Sequence, residues 1–292
     1  MQGYADWVCP DVPGALKEGS VLHRALEIQG RHGGRIGVSL LLGDGSRSGS
    51  QDGKLGLDSD QRFAMCSTFK WLLAARVLKG VDHGEFSLQR SVFFTRADVL
   101  SYAPVTSAHL SEGKMTLFGL CAAMVEQSDN TAANLVLGLV GGPAGLTSFV
   151  REMGDTVTRF DRSEPSLNSN LAGDIRDTTT PLSMATLLRS VYSGSVLSAS
   201  SLEILKTWML ATATGKARIR AGVPKGYLVA DKTGTGENGA VNDVAVIWPT
   251  GKPPVFMAIY TSGGHLGATE RDKVVADLTR LAFDTLGFVK DL

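Results

Sequence analysis

The chain has 292 residues, of which 29 are Lys or Arg, 29 are Asp or Glu and 43% are apolar. Such a length supports a large core in one or two domains, and zero net charge with no long basic run argues against nucleic acid as a partner. No apolar run is long enough to span a bilayer, Cys9, Cys66 and Cys121 form no metal or redox spacing, and the five histidines include no His-x-x-x-His pair, so neither a membrane partner nor a metal or other cofactor is expected.

The start, MQGYADWVCPDVPG, lacks the charged head and apolar stretch of a signal peptide, which leaves a cytosolic protein or a mature secreted form. Residues 14–30 carry Leu16, Val21, Leu22, Leu26 and Ile28 among polar residues and predict an amphipathic helix. Residues 35–42 alternate around Ile36, Val38 and Leu40 and run into Gly43-Asp44-Gly45, a strand entering a hairpin, with a poorer strand within 47–57. Helical spacing then predicts helices over 68–79, 117–127, 131–140, 144–153, 182–193 and 199–210. Strands return at 227–233, 243–248 and 255–261, bounded by turns such as Gly234-Thr235-Gly236 and Thr250-Gly251-Lys252. A last helix over 268–286 carries Val274, Val275, Leu278, Leu281 and Ala282 on one side.

This order predicts an α+β fold: an antiparallel sheet of about five strands drawn from both chain ends, flanked by the terminal helices, with an inserted all-helical domain. The expected division is 1–60 with 211–292 as the sheet domain and 61–210 as the helical one, with a cleft at their junction.

Ser67-Thr68-Phe69-Lys70 is a Ser-x-x-Lys pattern leading a run of helix formers, so Ser67 and Lys70 share a helical face. A second copy, Ser111-Glu112-Gly113-Lys114, holds a glycine and reads as a connecting turn. A serine hydroxyl is a weak nucleophile unless a base takes its proton, and Lys70 can serve only when burial or a cationic neighbour lowers its pKa. Two further motifs follow, each occurring once: Ser128-Asp129-Asn130 between two helical segments, and Lys232-Thr233-Gly234 at a strand end.

Taken in that order, the three motifs make the chain resemble the class A serine β-lactamases, whose superfamily includes the penicillin-binding proteins. The resemblance covers nearly the whole chain. Arg162-Ser163-Glu164-Pro165-Ser166-Leu167-Asn168 is similar to the family's Glu-x-x-x-Asn segment on an Ω-shaped loop, and Arg162 and Asp177 match the ion pair at that loop's base.

The resemblance implies hydrolysis of β-lactam antibiotics, penicillins and, through Thr235, some cephalosporins. Ser67 would attack the lactam carbonyl, with the backbone N–H groups of Ser67 and Thr235 as an oxyanion hole worth about 3 kcal/mol per donor. Ser128 would relay a proton to the leaving nitrogen, and Lys232, Thr233, Gly234 and Thr235 would hold the substrate carboxylate. Asn130 would bind the acylamide, and Glu164 with Asn168 would activate and position the deacylating water. The acylation base, Lys70 or Glu164, stays open. Where many members carry an arginine this chain has Val241, so Arg218 is the expected carboxylate ligand, with Arg220 as the alternative; Tyr102 matches the aromatic wall at the cleft mouth.

Cys121 and Cys66 each match half of a family disulfide, but their partner positions are Ala74 and Gly236, so neither bridge forms. The resemblance further implies a monomer, a periplasmic or secreted mature form, small-molecule substrates and no cofactor. A penicillin-binding D,D-peptidase or a non-catalytic β-lactam sensor would share Ser67, Lys70 and Lys232, but only the hydrolase needs Glu164.

Overall fold

A computed structural model describes residues 21–43 and 54–285. Helix α1 (Val21–His32) leads into strand β1 (Gly34–Leu42), and β2 (Lys54–Leu57) pairs with it, Val38 opposite Leu57. Parts of the expected first helix and hairpin, at 14–20 and 44–53, lie outside the described residues. After β3 (Phe63–Ala64), a single 3-10 turn over Cys66–Phe69 feeds α2 (Lys70–Asp82). Strands β4 (Ser91–Phe93) and β5 (Lys114–Thr116) then pair with each other.

Next come α3 (Leu117–Glu126), α4 (Asn130–Leu139), α5 (Gly142–Glu152), β6 (Thr178–Thr179), α6 (Pro181–Ser193) and α7 (Ala199–Leu210). Four of these helices start at a side chain that accepts a free N–H of the first turn: Thr116 from Gly119, Asp129 from Ala132, Thr180 from Ser183 and Ser198 from Ser201. The short α8 (Ile219–Gly222) precedes β7 (Leu228–Thr235), β8 (Val241–Trp248), β9 (Val255–Gly263) and α9 (Ala268–Thr285).

The fold is α+β. One sheet has the order β2-β1-β9-β8-β7 with every pair antiparallel, and its centre joins Gly34 to Gly263 and Leu42 to Val255 across β1 and β9. Alternate side chains sort to its two faces. Ile36, Val38, Leu40, Ala245, Met257 and Ile259 pack under Ala25 and Ile28 of α1 and Val275 and Leu278 of α9. On the opposite face, Val244, Val246, Phe256, Ala258 and Tyr260 join Trp71, Leu72, Met184 and Leu188 in a core that runs on through the helices.

Strand β7 corrects one expectation. Gly234 and Thr235 do not form the turn: they complete the strand opposite Asn242 and Val241. Glycine reads as a breaker, but here it is required by close approach, since a Cβ at Gly234 would lie 2.7 Å from the Met65 carbonyl. The small pairs β3–β6 and β4–β5 went unread because two or three residues carry no measurable period.

Candidate active site

The turn bearing Ser67 is clamped between the helical core and the sheet. Cys66 has a left-handed backbone, φ 47°, which re-aims the chain just before Ser67. Asn242 on β8 donates its amide to the carbonyls of Ala64 (2.9 Å) and Met65 (3.2 Å), and the Thr68 hydroxyl donates to Met65 (2.8 Å). Lys70 opens α2 one turn later and is fully buried.

Ser128 also has a left-handed backbone, φ 59°. Its successor Asp129 is the hub that holds this corner, accepting from the N–H groups of Val105, Thr106 and Ala132 at 2.9 Å each and from the Thr106 hydroxyl. Asn130 is the first residue of α4, and its N–H donates to the Tyr102 carbonyl at 3.1 Å. Tyr102 itself is half exposed.

Glu164 reaches the same point from the loop over 161–177. Arg162 Nε donates to Asp177 Oδ2 at 2.6 Å, and the N–H groups of Asp161 and Arg162 donate to Asp177 Oδ1 at 2.8 and 2.9 Å, closing the loop's neck. The Glu164–Pro165 peptide is cis.

These elements meet in one network. Ser67 Oγ donates to Glu164 Oε1 at 3.0 Å, and Lys70 Nζ lies 2.9 Å from that same oxygen. Lys70 also donates to the Ser128 carbonyl (2.8 Å) and Asn130 Oδ1 (2.6 Å). Asn168 Nδ2 donates to Glu164 Oε2 at 2.5 Å, while its buried Oδ1 has no partner among the described residues. Lys232 Nζ donates to Ser128 Oγ and to the Thr233 carbonyl, both at 3.0 Å. The Ser128 hydroxyl thus lies between two amines, with Lys70 3.4 Å away on its other side.

Along β7, the Thr233 and Thr214 hydroxyls are 2.5 Å apart, and Arg218 donates to Thr235 Oγ1 (2.7 Å), the Gly234 carbonyl (3.0 Å) and Asp272 (2.7 Å). Of the two arginines left open by sequence, Arg218 is the one at Thr235; Arg220 is tied away to Asp231 and the carbonyls of Met209 and Leu210. Val241 is buried in the sheet core.

Burial sets the electrostatics. It pulls the Lys70 amine below its usual value, opposed by the Glu164 carboxylate beside it. It pushes Lys232 down to about 7, with the Lys70 charge adding to the effect. Burial, and then the charge of Glu164, pushes the Cys66 thiol up to about 12, so this neighbour of Ser67 stays a thiol and offers no competing nucleophile. Cys66 and Cys121 are both buried and free, and Cys9 lies outside the described residues. Among the described residues no three His, Cys, Asp or Glu side chains are grouped as metal ligands.

Asn134 and Thr214 were missed by sequence reasoning, and Asp129 was read as part of the Ser128-Asp129-Asn130 motif without a role of its own. Asn134 carries the only available hint: it stands one helical turn after Asn130 and so faces the same side of α4. The assembled geometry is a hydroxyl bonded to a carboxylate, a second hydroxyl between two amines, and a strand edge lined by cationic and hydroxyl groups. It suits attack on a carbonyl with protonation of the leaving group and capture of a substrate anion.

Residues 26–286 match the model of the beta-lactamase enzyme family. The chain is 39% identical over 266 residues to β-lactamase OXY-2 of Klebsiella oxytoca, covering 91% of this chain and 89% of that protein. It is 44% identical over 255 residues to β-lactamase L2 of Stenotrophomonas maltophilia, covering 87% and 82%. Its fold matches the solved structure of the ancestral GNCA class A β-lactamase with a TM-score of 0.86 at 45% identity, covering 91% of this chain and 99% of the other.

Proposed function

The chain belongs to the β-lactamase enzyme family, as a class A enzyme that hydrolyses β-lactam antibiotics and confers resistance to them, and on that premise we propose how its residues divide the work. Ser67 Oγ attacks the lactam carbonyl carbon, forming an ester as the C–N bond breaks. Glu164 takes the hydroxyl proton. What supports Glu164 over Lys70 is donor counting: the three N–H bonds of an ammonium are matched by Glu164 Oε1, the Ser128 carbonyl and Asn130 Oδ1. Lys70 so placed is a cation in the resting state, with no lone pair for the serine, while the Ser67 hydroxyl already points its proton at Glu164.

The departing nitrogen receives its proton from Ser128 Oγ, which is resupplied by the amines of Lys70 and Lys232 on either side. The backbone N–H groups of Ser67 and Thr235 stabilise the oxyanion. Lys232, Thr233, Gly234, Thr235 and Arg218 bind the substrate carboxylate, Asn130 and Asn168 bind the acylamide, and Tyr102 forms the wall of the mouth. Lys70, having given a proton to Ser128, recovers one from Glu164 Oε1 at 2.9 Å and leaves it a carboxylate again. In the second half Glu164 draws a proton from water positioned by Asn168, whose Oδ1 has no partner among the described residues, and passes it to Ser67 Oγ as the ester breaks. The single observation that carries this assignment is the bond from Ser67 Oγ to a carboxylate that Asn168 also holds.

We also propose that penicillins and some cephalosporins are substrates, and that the enzyme works as a monomer. Every group named above belongs to one chain. The division into a sheet domain and a helical domain is proposed with its cleft along β7 and α4. Action in the periplasm or outside the cell follows from where these drugs meet their cell-wall targets.

Time-resolved intact mass with excess benzylpenicillin tests this reading. Wild type should consume substrate with at most transient adduct, Ser67→Ala should form none, and Glu164→Ala should form its adduct more slowly, through a Lys70 relieved of its carboxylate partner, and then hold it. A stable adduct on wild type would instead mean a penicillin-binding peptidase or a sensor.

A further inference from the structure

Helix α1 ends at His32, in the corner where β9 hands over to α9 beside the start of β1. Two histidines pack there against each other's glycines. A Cβ at Gly33 would lie 2.2 Å from His265 Nδ1, and one at Gly264 would lie 2.8 Å from His32 Cε1. The His265 N–H donates to the His32 carbonyl at 3.2 Å.

Three nitrogens in this corner are buried without a partner among the described residues: Nδ1 and Nε2 of His32, and Nε of Arg271 in the first turn of α9. Buried polar atoms of native proteins are almost always satisfied, so three together call for a ligand. The neighbouring charges are engaged elsewhere. Arg31 faces Asp277 at 3.9 Å, Asp272 holds Arg218 at 2.7 Å, and Arg35 donates to the Arg62 carbonyl at 3.0 Å. Glu270 folds over Gly267, its Oε2 2.7 Å from a Cβ placed there. Arg271 and His265 act on the His32 ring, and among the described residues no carboxylate does.

A cation in this corner would meet the Arg271 guanidinium. A neutral imidazole presents one donor and one acceptor, which suits water. Once protonated it presents donors only, as Arg271 does, and the ligand that suits donors alone is an anion. We propose that His32, Arg271 and His265 form a binding site for a small inorganic oxyanion of the sulfate or phosphate type, taken up together with a proton on His32. The bound anion ties the end of α1 to the start of α9. It uses none of the groups assigned to hydrolysis.

Sulfate is the probe, exchanged for gluconate at constant ionic strength. With the histidine ring carbons labelled for NMR, the titration midpoint of His32 should climb by about one pH unit for each tenfold of sulfate beyond its dissociation constant. Sulfate also stabilises proteins generally, by exclusion from their surface, and every variant shares that gain. The specific gain is the extra rise in Tm below pH 6.5, the ordinary value of the ring. It should vanish in His32→Phe and in Arg271→Gln, and wild type should lose it above that pH. A midpoint that ignores sulfate, or an equal gain in wild type and His32→Phe, would mean that the corner holds water and would overturn the site. The midpoint is read on wild type, so it decides the matter even where a variant does not fold.

Discussion

Asn134 grips the peptide of Glu164 from both sides: its Oδ1 accepts the Glu164 N–H at 2.9 Å and its Nδ2 donates to the Glu164 carbonyl at 2.9 Å. Because Asn134 and Asn130 stand one turn apart on α4, a single helix aligns the carboxylate with the amide that bonds Lys70. Asn134→Ala leaves two polar groups of Glu164 without partners, at a cost of about 1–3 kcal/mol. Because Glu164 is the base in both steps, the expected result is slower acylation and slower deacylation, read by rapid-quench mass spectrometry with benzylpenicillin. A lower Tm with both steps at wild-type rates would show that Asn134 merely supports the fold.

The neck of the Glu164 loop depends on Asp177, which accepts from three donors while 2% exposed. Asp177→Ala leaves the N–H groups of Asp161 and Arg162 without their acceptor and takes from the Arg162 guanidinium its nearest carboxylate, with Ser169 and Asp174 still beside it, at a cost of about 1–3 kcal/mol. Thermal unfolding should show a clear fall in Tm, and any folded enzyme should deacylate slowly. A variant with wild-type Tm would mean that the loop holds its shape without Asp177.

Lys232 carries the pH dependence of binding. With its pKa pushed down to about 7, it is an ammonium below that pH and a neutral amine above it. A substrate carboxylate is attracted to the ammonium only, so kcat/KM for penicillins should fall as pH rises through 7, chiefly through KM. A penicillin amide or ester lacking the carboxylate should show a flatter profile over the same range. Identical profiles for the two substrates would acquit Lys232.

His32 sets a different pH response. Its ring is fully buried with neither nitrogen partnered among the described residues, and burial, Arg271 and then His265 lower its pKa from 6.5. The folded state therefore resists a proton that the unfolded chain accepts. Its contribution to stability is full above the unfolded value of 6.5 and is lost as pH falls below it towards the lowered folded value. Urea unfolding of wild type should weaken over that window, and His32→Phe should flatten the change. An equally steep loss in the variant would assign it to other groups.

What could be read from sequence was local. Ser67 and Lys70 are one turn apart, Ser128 to Asn130 sit at a helix start, and Lys232 to Thr235 lie on one strand, so spacing alone brings each set into register. Residues whose partners are distant in sequence gave no such signal. Asn134 is an ordinary helix residue until Glu164 arrives from thirty positions on. Spacing does not separate Arg218 from Arg220, and the resemblance alone favours Arg218; in the fold the buried Asp231 captures Arg220 while Arg218 reaches Thr235. Gly234 looked like a turn because its reason, the Met65 carbonyl, lies far upstream.

The pairing of β1 with β9 has a consequence for biogenesis. These neighbours in space are separated by roughly 220 residues of chain, and contacts of that span are slow to form. As the polypeptide emerges from the ribosome, β1 offers an unpaired edge and the apolar row Ile36, Val38 and Leu40 long before Val255–Gly263 exists to cover them. Such an edge invites pairing with another chain. The sheet is thus completed last, by the tail of the protein, and a chain cut short before β9 is a candidate for aggregation and disposal instead of a smaller working enzyme.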